Sequence, residues 1–215
     1  MDTFRSGQVF SSIDHYGRYA YDRQPDVLVW NLAQFATALL PLMGEDRNAA
    51  IEAATASVHR FPDRFRAEWL AVFRAKIGLS MAEDGDEALI GTLLSRMESL
   101  RADFTNAFRA LGTGAARDEF LDPSGFDAWE AEWRARLARE GATPEDRLRA
   151  MRGVNPSVIP RTHRIEQAIA AGVAGDFAPF ARLLAALETP FAEGPADLRR
   201  PPAADEVVGQ TFCGT

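Results

Sequence analysis

The chain has a single cysteine, Cys213, so no internal disulfide can form, and a reducing compartment such as the cytoplasm is expected. No apolar run is long enough to span a bilayer, and the start lacks a basic, apolar, cleavable signal pattern, so no membrane partner is expected. Positive charge is in deficit. Lys and Arg total 24 against 31 Asp and Glu, a formal net charge of -7, which supplies no broad attraction for a nucleic-acid backbone. The three histidines, His15, His59 and His163, are scattered without metal-ligand spacing. No Gly-x-x-x-x-Gly-Lys loop or Gly-x-Ser-x-Gly elbow occurs. Gly112-Thr113-Gly114 lacks a third glycine and a preceding strand, and reads as a helix end. Asp84 and Asp86 lack the remaining ligands of a calcium loop and read as an acidic surface turn. No residue is therefore assigned as catalytic, cofactor-binding or metal-binding.

What is present is a globular composition, 47% hydrophobic and 26% charged over 215 residues, patterned for an all-α fold. Residues 1–24 are aperiodic and read as an extended loop. Pro25 suits a first helical position and opens a helix to about Met43. Leu28, Leu32, Phe35 and Leu39, widened by Val27, Trp30 and Leu40, predict burial on most sides of it. Further helices are predicted over 45–60, 63–78 and 86–111, the last with a face of Leu89, Leu93, Met97, Leu100 and Phe104. Another spans 124–140, with Phe126, Trp129, Trp133 and Leu137 inward. Thr143-Pro144-Glu145-Asp146 is a capped helix start, and that helix ends at Gly153. The last two cover 161–174 and 176–188, with Asp176 as cap and Phe177, Phe180, Leu184 and Leu187 inward. The helical domain thus covers 25–190, and 191–215 reads as a flexible Pro-rich tail ending near Cys213.

Six arginines, at 134, 136, 139, 147, 149 and 152, alternate with acids and read as a solvated, salt-bridged face rather than an anion site. Asn31 has two readings, a bond across to the preceding loop or a buried amide satisfied by nearby backbone. Asn155, Arg161 and His163 surround a helix start. Capping and packing are the expectation there, with anion binding the alternative.

Several segments resemble one known family. Asp14-His15-Tyr16-Gly17-Arg18-Tyr19-Ala20-Tyr21, then Gln24-Pro25 and Trp30-Asn31-Leu32, are similar to the stretch just after the metal-binding Asp-Tyr-Gly motif of the selenoprotein O family of kinase-like AMP transferases. Ala75-Lys76-Ile77-Gly78-Leu79, Asp103-Phe104-Thr105 with Phe108-Arg109, and Asn155-Pro156 with Ile159-Pro160-Arg161-Thr162-His163 and Glu166-Gln167-Ala168-Ile169 resemble later signatures of the same family. Gly175-Asp176-Phe177 continues in register. Thr211-Phe212-Cys213-Gly214-Thr215 resembles the family's cysteine-bearing end, where animal members carry selenocysteine.

The resemblance implies a helical bundle corresponding to the remainder of a kinase-like C-lobe plus a C-terminal helical extension. It implies transfer of AMP from ATP, with magnesium or manganese, to Ser, Thr or Tyr hydroxyls of protein substrates. In that family the nucleotide loop, catalytic lysine, base and metal ligands precede the segment matching Met1. This chain is therefore expected to be inactive alone, with a separately encoded N-terminal lobe as one partner. Met1 resembles an internal methionine, consistent with a truncated product, a misplaced start or a split protein. A stand-alone helical interaction module and a nonfunctional remnant are the alternatives.

Residues 1–24 then correspond to an activation segment. His15 and Arg18 are its candidates, Arg18 either steadying the loop through a local bond or touching nucleotide or substrate. Cys213 is a redox candidate. Phe10, Ser11 and Ser12 occupy the region where some relatives carry a partner cysteine, which leaves a free thiol as the expectation.

Overall fold

A computed structural model describes residues 1–211. Among them the fold is all-α, with one isolated antiparallel bridge, Thr3 to Asp103. In chain order the helices are α1 (Gln24–Leu39), α2 (Arg47–His59), α3 (Phe61–Lys76), α4 (Asp86–Ser99), α5 (Phe104–Leu111), α6 (Pro123–Leu137), α7 (Pro144–Val154), α8 (Thr162–Val173), α9 (Ala178–Glu188) and the short α10 (Ala196–Arg199). Two compact units are present. One comprises Met1–Phe4 with Val72–Gly209, the other Arg5–Ala71 with the described residues from Gln210 onward. None of the helices is long and apolar enough to cross a membrane.

The larger unit is built on α6, whose predicted face is its buried face. Phe126, Trp129, Trp133 and Leu137 all lie inside. Trp129 and Trp133 stack with centroids 5.5 Å apart. Their indole N–H groups donate to the carbonyls of Leu89 and Ile77, each at 2.8 Å. A buried tryptophan needs such a partner, since an unpaired indole N–H would carry its full desolvation cost. Phe73, Ile77, Ile90, Leu93, Met97 and Phe108 of the same unit are also buried. Gly78 ends the run after α3 at φ +80°, and an added Cβ would sit 2.8 Å from Met151 Sδ and 2.9 Å from Arg147 Cγ. Both the backbone angle and the space therefore require glycine.

Three expectations are corrected here. The helix read over 86–111 is two helices. The chain turns at Arg101, φ +54°, and Asp103 then caps α5 by accepting the Asn106 N–H at 2.8 Å. Apolar spacing ran through the break because Leu100 and Phe104 happen to keep the period, while the cap at Asp103 resets the axis. Secondly, α9 buries Leu183, with Leu187 partly covered. Phe177, Phe180 and Leu184 are exposed, so the inward face is rotated from the one expected. Asp176 does accept the Ala178 N–H, at 2.9 Å.

Thirdly, α1 buries none of its residues. Leu28, Trp30 and Phe35 are 41%, 52% and 62% exposed, in place of the burial on most sides that its composition predicts. An all-round apolar helix is ordinarily enclosed, and this one has neighbours on only part of its surface. α2, capped by the Asp46 carboxylate through Asn48 N and Ala49 N, pairs with it and buries Ala50 and Ala54.

Part of the segment 191–215, expected as a flexible tail, packs in the larger unit: Gly194 N–H donates to Ser157 Oγ at 3.2 Å, and Leu198 on α10 is buried with Val158 and Leu183.

Candidate functional site

Two polar constellations stand out, one in each unit. In the larger unit Arg161, 1% exposed, is the centre of a buried hub. Its Nη1 donates to Asp103 Oδ2 at 2.8 Å and also pairs with Asp2, and its Nη2 reaches Asn106 Oδ1 at 3.2 Å. Burial alone would disfavour the guanidinium charge, but the bonds to Asp103 and the charge of Asp2 outweigh it and raise its pKa. Backbone bonds complete the strap. Phe104 N–H donates to Asp2 O at 2.8 Å, and Phe4 N–H to Ala102 O at 3.0 Å. Phe4 stacks on Phe104 at 5.5 Å. Residues 2–4 are thus tied to the start of α5 and the start of α8 at once. Packing was expected for Arg161, and its two Nη groups are engaged by Asp103, Asp2 and Asn106, while its buried Nε has no partner among the described residues. Beside it Asn155, buried, donates to Lys76 O at 2.8 Å and accepts from Lys76 Nζ at 3.2 Å. His163 is buried with both ring nitrogens unpartnered among the described residues, and burial pushes its pKa down.

A second buried hub was not expected. Arg136, placed with the solvated arginines, is 4% exposed, and Asp86, read as part of a surface turn, is 1% exposed. Arg136 donates to Asp86 Oδ1 and Glu140 Oε1, each at 2.8 Å, and Arg74 Nε donates to Asp86 Oδ2 at 2.7 Å. Sequence spacing carries no sign that Asp86, at the start of α4, meets Arg136 of α6. Arg134, Arg139 and Arg149 do form exposed pairs, with Glu130, Glu83 and Asp146.

In the smaller unit lies the loop carrying the two numbered candidates. Asp14 organises it, its carboxylate accepting the N–H of Arg18 at 2.9 Å and of Tyr19 at 2.8 Å. Gly17, at φ +64°, makes the turn possible. Tyr21 N–H donates to Gln8 O at 2.9 Å, and Ser12 N–H to Thr211 O at 2.7 Å. The Arg18 guanidinium lies 4.8 Å above the Trp30 ring and 5.7 Å from that of Tyr19. It makes no carboxylate pair among the described residues, so a stacked cation rather than a salt bridge holds it. His15 is exposed and Asn31 is exposed, so the buried reading of Asn31 is corrected. A shallow cavity of about 190 Å³ opens between Tyr19, Leu28, Asn31 and Phe65. The loop brings Arg18 to an aromatic face, and His15 makes no ion pair among the described residues. Cys213 lies outside the described residues.

Among the described residues no group of three or more His, Cys, Asp or Glu is arranged to hold a metal ion. The buried carboxylates Asp86, Asp103 and Glu140 are each bound to arginine.

The family model for the protein adenylyltransferase SelO matches residues 1–188. A protein nucleotidyltransferase YdiU from Ruegeria pomeroyi is 54% identical over 217 aligned positions, covering 100% of this chain and 45% of that protein. Those of a second Ruegeria species and of a Jannaschia species are 54% and 51% identical, again over the whole chain and 45% and 46% of their own length. The chain therefore spans a little under half the length of the curated relatives it matches. By the extent of these matches, the chain belongs to the SelO protein adenylyltransferase family.

Proposed function

We propose that this chain is the C-terminal part of a SelO-type protein adenylyltransferase and is inactive alone. The complete enzyme would move AMP from ATP, with magnesium or manganese, to Ser, Thr or Tyr hydroxyls of proteins in the cytoplasm. The observation that carries the reading is the Arg161 hub. It anchors Asp2, in the segment that the resemblance places directly after the metal motif, to the helical core. In this reading the chain supplies a rigid platform that fixes where the metal motif ends, and positioning is the larger share of catalysis in phosphate-transfer enzymes of this kind. The described residues contain no cluster of three or more His, Cys, Asp or Glu arranged to hold a metal ion, and no step of nucleotide chemistry is assigned to them. Arg18 and His15 belong to the activation segment in this proposal, with Arg18 held on Trp30 so that the loop keeps its shape.

The test is incubation of the chain with labelled ATP, magnesium or manganese and an acceptor protein, alone and mixed with a polypeptide carrying the remaining half of a relative. No incorporation alone and incorporation on mixing is the expected result. Robust incorporation by the chain alone refutes the reading of inactivity, and failure of mixing to restore transfer counts against a two-part enzyme.

The exposed face of α1 favours a second reading, a stand-alone helical interaction module. Light scattering separates them: a stable monomer with cooperative unfolding supports an independent module, and association through Leu28, Trp30 and Phe35 supports a face made for a missing partner.

A further inference from the structure

A cavity of about 360 Å³ lies in the larger unit between α5, α7 and α10, and the proposed adenylyltransferase role gives it no task. Its charge is unusual in a chain with a net charge of -7. Arg109, Arg152, Arg199 and Arg200 line it, against Glu119 and Glu193. Glu193 is shared, pairing with Arg199 and, loosely at 3.4 Å, with Arg109. Arg200 pairs with Glu206, outside the lining, at 2.7 Å, so the four lining guanidinium groups face two lining carboxylates. Arg109 is fixed in place because its Nη1 donates to the carbonyls of Asn155 at 2.8 Å and Arg152 at 3.2 Å. The Arg152 guanidinium has no hydrogen bond or ion pair among the described residues, and the buried Nε of Arg199 is likewise unpartnered.

The acceptor side is equally marked. Burial pushes the Glu119 carboxyl pKa up, and the nearby charge of Asp103 adds to the effect. Asn106 and Thr113 complete the polar wall, and no aromatic ring lines it. A nucleobase would therefore find no stacking surface, whereas an anion with hydroxyl groups would find both guanidinium donors and carboxylate acceptors in the wall.

We propose that this cavity binds a small phosphorylated polyol or sugar, with Arg152, Arg199 and Arg109 on the phosphate and Glu119 and Glu193 accepting hydroxyls. Guanidinium forks suit phosphate oxygens, and the volume lies within the range of small-molecule sites. The proposal does not rest on the adenylyltransferase reading and stands or falls without it.

Calorimetric titration of the 215-residue chain at fixed ionic strength tests it, with glycerol phosphate and glucose phosphate as probes and inorganic phosphate, glycerol and succinate as comparisons. One-site saturable binding of a phosphorylated probe is expected, about tenfold or more tighter than inorganic phosphate, as one or two added hydrogen bonds would give. Arg152→Ala and Arg199→Ala should each weaken it about tenfold, since each removes a charged donor. Arg149→Ala, on the exposed side of α7, should leave it unchanged. Arg152 bears no structural bond through its side chain, so its variant keeps the fold. Absence of saturable binding, inorganic phosphate or succinate binding as tightly as the probes, or unchanged affinity in both the Arg152 and Arg199 variants would each overturn the proposal.

Discussion

Arg161 and Asp103 form a two-point ion pair, Nη1 to Oδ2 at 2.8 Å and Nη2 to Oδ1 at 3.2 Å, with both side chains buried. The same Asp103 oxygen that meets Nη2 also caps α5. One residue thus ends the α4–α5 turn and, through Arg161, ties the start of α8 to residues 2–4.

Arg161→Ala should destabilise the chain by about 3–5 kcal/mol, because it leaves the buried Asp103 carboxylate without its counter-charge. Arg161→Lys should recover only part of this, since an ammonium cannot span Asp103 in two bonds. Urea unfolding of the three proteins measures both differences.

The Arg136 hub predicts acid sensitivity. Burial pushes the Asp86 carboxyl up, but bonds from Arg136, the Glu83 N–H and Arg74 outweigh it, and its pKa lies below the ordinary 3.8. Glu140 is likewise pushed up by burial, and held below 4.5 by Ser80, Arg136 and Met81. Depressed carboxylate values favour the folded state at higher pH. That stability is present above about 4.5 and is lost as pH falls through the folded values. Glu140→Gln should flatten the slope of unfolding free energy against pH in this acid range, as read by urea titration at a series of pH values.

His163 gives a slope at higher pH. Burial, then the neighbouring Arg164 charge, lowers its pKa below 6.5, so the unfolded chain takes up a proton that the folded chain refuses. Stability should fall as pH drops from about 6.5 toward the folded value. His163→Leu should remove this component, and a thermal-melt series between neutral and mildly acid pH would show it.

Gly78→Ala should cost about 1–3 kcal/mol, combining a strained positive φ with overlap on Met151 and Arg147. Gly114→Ala shares the positive φ but meets no atom within 4 Å, so it should cost less. Paired denaturation curves separate the backbone effect from the steric one.

Phe35→Asp on α1 should change the stability of the isolated chain by less than about 0.5 kcal/mol, as an exposed substitution does. If α1 docks on a missing lobe, the same change should abolish restored AMP transfer in the mixing experiment. Unimpaired restoration would remove α1 from that interface.

Much of the fold was legible in the chain. The start of α7 is legible from Thr143 before Pro144, because a cap acts on N–H groups two or three residues away, whereas Asp176, expected as the cap of α9, lies one residue before its N-cap Phe177. The buried stripe of Phe126, Trp129, Trp133 and Leu137 was legible for the same reason, its period being set by one helix alone. Family membership was carried by ordered motifs, which need no geometry.

Local sequence determined the helices, most of their caps and the residue kinds at each motif. Only the tertiary structure decided which charges went inside and which apolar faces stayed open. Arg136 and Arg134 are chemically identical and two residues apart, yet one is buried against Asp86 and the other is in solvent. That choice depends on Asp86, 50 residues away, meeting Arg136 of α6. The inward face of α9 likewise follows from where Val158 and Leu198 arrive, and the exposure of α1 from what does not pack on it. Periodicity states that a face is apolar; burial requires a second surface, and sequence spacing carries no information about where that surface lies.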